Sequence, residues 1–257
     1  MHLAERERVI MNALSPTGFV SYRDLENLID ASPATIRRDL ARLESERRIA
    51  RVHGGAKLPD VQSSGATLTG TPFDQSINLN LKQKAAIGRM AASLCKPGEG
   101  IMIDGGSTTF QMCAHLDQLG LQVLTNSLHI VNALLPQSDT RILLPSGAVF
   151  REQNIILAPA GEDSMPQFYA PKLFMGAGSV GPRGAMQADA VLVASQRRLI
   201  ERAEQVILMV DSSKFVTSSG AIVCPLKDIN ILITDAGIDE PMRSALVDAG
   251  VRLIIAD

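Results

Sequence analysis

The chain has 257 residues, 46% hydrophobic and 20% charged, with a formal net charge of −2. That is enough for one large domain and one small one, with the composition of an ordinary soluble globular protein. No apolar run approaches the roughly 18–20 residues that span a bilayer, the 3 cysteines are too far apart for a disulfide framework, and the 4 histidines show no zinc spacing.

In chain order, the N-terminus (Met1-His2-Leu3-Ala4-Glu5-Arg6-Glu7-Arg8) is charged and lacks a signal-peptide core, so a cytoplasmic location is expected. A first helix is expected over about 3–14, with Val9, Ile10, Ala13 and Leu14 on one face. Ser21 reads as the cap of a short second helix over 22–30. The connection Asp30-Ala31-Ser32 is as brief as a helix-turn-helix requires.

Residues 32–40, Ser-Pro-Ala-Thr-Ile-Arg-Arg-Asp-Leu, are the most informative stretch. Ser32 is a good N-cap, and Pro33 suits the first helical position because the N–H it lacks has no partner there. Ile36, Leu40 and Leu43 recur at i, i+4 and i+7 and give this helix a buried face. Ala34, Thr35, Arg37 and Arg38 lie on its first turns, where a recognition helix meets base edges and phosphates. Farther on, Ile49 and Val52 suit a small β-ribbon, with Gly54-Gly55 at a sharp turn. Three helices and a basic ribbon make a winged helix-turn-helix. Arginines on a helical hairpin are equally a solvated face, so the charge partition decides. Residues 32–57 hold seven Lys/Arg (Arg37, Arg38, Arg42, Arg47, Arg48, Arg51, Lys57) against three acids, a local +4 on a chain of −2. That is the footprint of a DNA contact. The candidate contacts are Ser21, Ser32, Ala34, Thr35, Arg37, Arg38, Arg42, Arg51 and His53.

Residues 58–72 are rich in Ser, Thr, Gly and Pro without apolar period and read as a linker. The expected division is a DNA-binding domain at 1–57, the linker, and an α/β domain at 73–257. In this second domain strands are expected at 100–103, 122–124, 141–144, 172–175, 205–210, 229–233 and 252–255. Helices are expected at about 80–94, 108–119, 128–135, 190–203 and 241–249. Continuously apolar strands alternating with helices imply a mainly parallel sheet covered on both faces. Cys95, Cys113 and Cys224 sit among apolar residues and read as core.

Ligands of open α/β sheets bind at the carboxyl ends of the strands, and three polar segments fall there. They are Asp104-Gly105-Gly106-Ser107-Thr108-Thr109, Thr125-Asn126-Ser127 and Asp211-Ser212-Ser213-Lys214. Two glycines let backbone approach a ligand, and hydroxyls and N–H groups at a helix start attract phosphate. Each segment alone is equally a capped helix start. Together, with a lysine and two carboxylates, they favour a small polyhydroxylated anion, best a sugar phosphate. Its candidate contacts are Asp104, Gly105, Gly106, Ser107, Thr108, Thr109, Asn126, Ser127, Asp211 and Lys214. Neither a Walker A motif nor G-x-G-x-x-G is present, so nucleotide binding is disfavoured, and no cofactor, metal or catalytic residue is expected.

The order and spacing of these pieces, with Arg-Val-His-Gly-Gly-Ala at 51–56, Asp-Ser-Ser-Lys-Phe at 211–215 and Leu-Ile-Thr-Asp at 232–235, resemble the DeoR-type bacterial transcription regulators over nearly the whole chain. The resemblance implies a repressor of a carbohydrate catabolic operon that binds double-stranded operator DNA and senses a phosphorylated sugar. It also implies a second domain resembling ribose-5-phosphate isomerase, assembly as a dimer or tetramer, and no membrane partner. Two positions depart from the pattern. Gln196-Arg197 stands where many relatives have Lys-Arg, and Pro145-Ser146-Gly147 where they have Gly-Gly. Residues 162–165 through 174–177 are expected to shape one cavity wall. The alternative is a sugar-phosphate isomerase carrying a DNA-binding appendage, with Asp104 or Asp211 as base and Lys214 stabilising an enediolate.

Overall fold

The structure, a computed structural model, describes residues 2–14, 19–45, 49–52, 55–57, 73–151, 153–157, 165–216 and 220–257. The chain divides between Ala66 and Thr67 into two compact units. The expected linker at 58–72, along with Arg47, Arg48, His53, Gly54 and residues 162–164, lies outside the described residues.

The first unit runs α1 (Leu3–Leu14), β1 (Phe19–Ser21), α2 (Tyr22–Leu28), α3 (Pro33–Ser45), β2 (Ala50–Val52) and β3 (Gly55–Lys57). Ile10, Leu14, Leu25, Ile29, Ile36, Leu40, Leu43 and Ile49 form its core, as the helical spacing predicts. The strands pair antiparallel in the order β1-β3-β2. Only the ribbon was expected; three residues are too few for β1 to show a period. Gly55 lies within β3 rather than solely at a turn. A Cβ there would sit 2.1 Å from the Val20 carbonyl oxygen, so β1 approaches only a glycine.

The second unit opens with α4 (Phe73–Ser76), α5 (Leu81–Ala92) and β4 (Gly100–Ile103), then a 3-10 helix at Thr109–His115. Next come β5 (Gln122–Thr125), α6 (Leu128–Leu134), β6 (Arg141–Leu143), β7 (Ala148–Phe150) and β8 (Ile155–Leu157). They are followed by β9 (Ala170–Met175), β10 (Ser179–Gly181), β11 (Gly184–Gln187), α7 (Ala190–Ile200) and β12 (Ala203–Met209). The chain closes through a 3-10 turn at Ser212–Phe215, β13 (Ala221–Cys224), a 3-10 turn at Leu226–Asp228, β14 (Ile231–Thr234), α8 (Glu240–Asp248) and β15 (Arg252–Ile255).

Seven strands form one sheet in the order β15-β14-β12-β9-β4-β5-β6, with every neighbouring pair parallel. These are the seven expected strands. Side chains alternate across the pleat. Met102, Leu124, Leu173 and Leu208 face a core shared with α7 and α8, while Ile101, Ile103, Phe174 and Ile207 face one shared with α5 and α6. From β4 the chain winds outward through β5 and β6. It then returns to β9, on the other side of β4, and winds outward through β12, β14 and β15. Connections leaving β4 and β9 therefore diverge and leave a crevice at the carboxyl ends. At the amino ends Lys172 of β9 donates to both carboxylate oxygens of Glu99, at 2.6 and 2.8 Å.

Two features were not expected. Antiparallel ribbons β7-β8 and β10-β11-β13 flank the sheet, built from strands of 3–4 residues. The helix expected at 108–119 is a seven-residue 3-10 helix. Thr, Phe, Cys and His are weak α-formers, and Gln137 draws off the Cys113 carbonyl by donating to it at 2.8 Å. Cys113 and Cys224 are buried and Cys95 half-buried. Burial pushes the three thiols up, Cys95 and Cys113 to about 12 and Cys224 to about 11. Among the described residues no helix is long and apolar enough to cross a membrane.

Gly88 lets α5 lie directly on the 3-10 helix, since a Cβ there would come 2.6 Å from the Gln111 carbonyl carbon. Gly88→Ala would gain about 1 kcal/mol in an exposed helix. Here the backbone clash should give a net loss of about 1–3 kcal/mol in chemical denaturation. A variant as stable as the parent would refute that close packing.

Candidate functional site

In the first unit, Ser32 Oγ accepts from Thr35 N–H at 3.2 Å and so caps α3. Ser21 caps α2 in the same way, accepting from Asp24 N–H at 3.1 Å. With Ile36, Leu40 and Leu43 buried, Ala34, Arg37, Arg38 and Ala41 share the exposed face at i, i+3, i+4 and i+7. Thr35 is half-buried beside the cap, its hydroxyl 2.9 Å from that of Ser32. Arg42 pairs instead with Glu7 of α1. Asp39, not singled out from sequence, is buried and receives Arg6 Nε at 2.6 Å and Nη2 at 3.3 Å, which fastens α1 to α3. The signal was available: Asp39 lies in register with the apolar stripe. For Arg51 only the backbone is described, and His53 lies outside the described residues.

In the second unit, a cavity of about 310 Å³ opens at the β4/β9 divergence. Asp104, Gly105, Gly106, Ser107, Thr108 and Lys214 of the expected set line it. The other four stand behind its wall. Thr109 donates to the Asp104 and Gly106 carbonyls at 2.8 and 3.0 Å, which tightens the loop. Asn126 accepts from Gly105 N–H at 3.2 Å and donates to Ser195 Oγ at 3.1 Å. Ser127 caps α6. Asp211 Oδ1 accepts from Asn80 Nδ2 at 2.8 Å and from the Ser213 N–H and hydroxyl. Gly105 is needed by the protein itself, since a Cβ there would meet Ile155 Cγ2 at 2.7 Å and Ser127 Cβ at 3.2 Å.

Apart from Gly176, Ala177 and Gln196, the remaining lining comes from places the sequence did not mark. Gly176, Ala177, Gly178 and Ser179 follow β9, Gln153 and Ile155 belong to the β7-β8 ribbon, and Leu192, Ser195 and Gln196 to α7. Of the expected wall at 162–165 through 174–177, Gly176 and Ala177 contribute, while Met165 packs on the sheet core. Phe73 and Ser76 of α4 also line the cavity. Phe73 stacks on His129, with ring centroids 3.8 Å apart. Lys84 was missed as well. It sits in the buried stripe of α5, donating to the Ser76 carbonyl at 2.6 Å, and burial lowers its pKa while Asp211 opposes the shift. Its signal was a lysine in helical register with Ile87, Gly88 and Ala91.

Asp104 is the electrostatic centre. Gln196 Nε2 donates to its Oδ2 at 2.6 Å. Burial pushes the carboxyl up to about 6, against the hydrogen bonds of Gln196, Gly105 and Asn126 that hold it down. No group of three metal-ligating side chains occurs among the described residues. The arrangement offers a cation, hydroxyls and a hydrogen-bonded carboxylate around one small polar space, which suits a phosphorylated polyol.

Residues 79–236 match the model of the DeoR C terminal sensor domain, and residues 6–62 that of the DeoR-like helix-turn-helix domain. The uncharacterized HTH-type transcriptional regulator YgbI of Escherichia coli (strain K12) is 32% identical, covering 98% of this chain and 97% of its own. The putative aga operon transcriptional repressor of Escherichia coli O157:H7 is 31% identical, covering 98% and 93%. The HTH-type transcriptional repressor GlcR of Bacillus subtilis (strain 168) is 29% identical, covering 100% and 98%. Among solved structures, ribose 5-phosphate isomerase A of Methanocaldococcus jannaschii shows a distant likeness, with a TM-score of 0.40 and 15% identity over 53% of this chain and 55% of that one.

The raised Asp104 carboxyl has a stability consequence. The native state holds its proton to about pH 6, while an unfolded carboxyl releases it near 3.8, so the fold gains stability as pH falls through that window. Between pH 7 and 4.5 the wild type should gain about 2 kcal/mol on Asp104→Asn in urea denaturation. Parallel pH profiles for the two proteins would contradict it.

Proposed function

The chain belongs to the DeoR family of transcription regulators, and on that footing we propose that it is a repressor of a carbohydrate catabolic operon, controlled by a phosphorylated sugar bound in the cavity. The observation that carries the sugar-phosphate reading is the meeting of Asp104, Ser107, Thr108 and Lys214 around one cavity. Lys214 and the loop at 105–108 hold the phosphate, and Asp104 orders sugar hydroxyls. Two relatives named as repressors, one of an aga operon, support repression. The exposed Ala34-Arg37-Arg38 face of α3 supports operator binding, with phosphate contacts giving affinity and base contacts giving sequence preference. One such helix reads few base pairs, so the protein works as a homo-oligomer on paired half-sites.

The effector acts only through unequal affinity for the DNA-competent and incompetent states; a hundredfold change in operator affinity needs about 2.7 kcal/mol of coupling. The cavity binds rather than turns over, in keeping with relatives that are named as transcriptional regulators and repressors.

Arg37→Ala should weaken operator binding by about 1–3 kcal/mol at fixed salt and relax sequence preference. Unchanged affinity in a folded Arg37→Ala/Arg38→Ala protein would remove α3 from the interface. Lys214→Ala should keep operator binding and lose the response to phosphorylated sugars in an anisotropy titration, and neither protein should isomerise ribose 5-phosphate. A retained response at wild-type effector concentration would sink the phosphate assignment, and steady turnover would favour the isomerase alternative.

A further inference from the structure

One side chain on the cavity wall has an open hydrogen-bonding position. α7 buries Val193, Gln196 and Leu199 along one stripe, so an amide stands between two aliphatic residues against the sheet. Gln196 is 3% exposed and still lines the cavity. Its Nε2 donates to Asp104 Oδ2 at 2.6 Å and to the Gly176 carbonyl at 2.9 Å. Both partners are oxygens facing a donor, one a carboxylate and one a carbonyl, which settles the orientation of the amide. Its Oε1 is thereby turned away from them, buried and without a hydrogen-bond partner among the described residues. A buried acceptor left unpaired is costly, and in a cavity wall a ligand donor repairs it.

We infer that Gln196 determines specificity: its Oε1 accepts a hydrogen bond from a ligand hydroxyl beside Asp104. The site therefore takes the neutral, hydroxyl-bearing end of an aldose or sugar-alcohol phosphate and rejects the phosphate of a sugar acid. A ligand carboxylate there would set acceptor against acceptor and negative charge against Asp104. The inference rests on reading the cavity as a sugar-phosphate site and names which end of the molecule is read by which atom.

The test is calorimetric titration of the full-length protein at neutral pH with matched sets. One set is D-ribose 5-phosphate, D-ribitol 5-phosphate and 5-phospho-D-ribonate. The other is D-glucose 6-phosphate, D-glucitol 6-phosphate and 6-phospho-D-gluconate. The wild type should bind the neutral members of at least one set about 10- to 100-fold more tightly than the acid. Gln196→Lys keeps N–H donors for Asp104 and Gly176 but has no acceptor, so it should erase or reverse that preference. Binding of a neutral phosphate with no preference over its acid, or with the acid preferred, overturns the inference and leaves the sugar-phosphate reading standing. An undiminished preference in folded Gln196→Lys also overturns it. If no member of either set binds the wild type, both readings fail together. The wild-type comparison keeps the test decisive even if the variant does not fold.

Discussion

The parallel pairing of β4 with β9 is the constraint on which the second unit depends. Two strands far apart in sequence lie side by side, and the chain leaves them in opposite directions. Their hydrogen bonds, with Lys172 on Glu99 at the amino ends, hold the pair together where it is solid. At the carboxyl ends the connections part to either side, and the sheet is left open between them. Asp104 and Gly176 are the first residues beyond the two strands. Gln196 bonds to both and so spans the gap from α7.

The first unit solves a different problem with one helix. Its apolar stripe closes the core, its buried Asp39 is tied to Arg6, and its remaining face is left to Ala34, Arg37 and Arg38. Fixing α3 by an internal ion pair on the side away from solvent leaves the exposed arginines unburdened by structural work. Rigid placement of a recognition surface limits the entropy lost when it meets a partner.

The sheet was legible because its strands are buried on both faces and read as unbroken apolar runs between capped helices. The helices of the first unit were legible for a related reason: Ile36, Leu40 and Leu43 repeat with the helical period. What sequence hid was short or depended on distant partners. β1, β7 and β8 have three residues each, too few for a pattern. The tight Gly181-Pro182-Arg183-Gly184 turn between β10 and β11 was a usable signal passed over in a glycine-rich stretch. At the site, loops after single strands could be read, so Asp104 and Lys214 were found. The wall supplied by α4, the β7-β8 ribbon and α7 depends on tertiary packing that no local window contains. Thr109, Asn126, Ser127 and Asp211 show the converse: residue types that suit a ligand are equally suited to holding the loop that meets it.

The state of the three thiols has a practical side. Cys95, Cys113 and Cys224 are all held far above neutral pH by burial, so almost none is thiolate in physiological buffer. Thiolate is the form that attacks oxidants and maleimides. Alkylation of the folded protein should therefore be slower than that of a free thiol, and slowest at the buried Cys113 and Cys224. A single cysteine introduced at an exposed site such as Val216 would be labelled in preference to Cys113 and Cys224, so the core thiols could stay and only the half-buried Cys95 would need replacing.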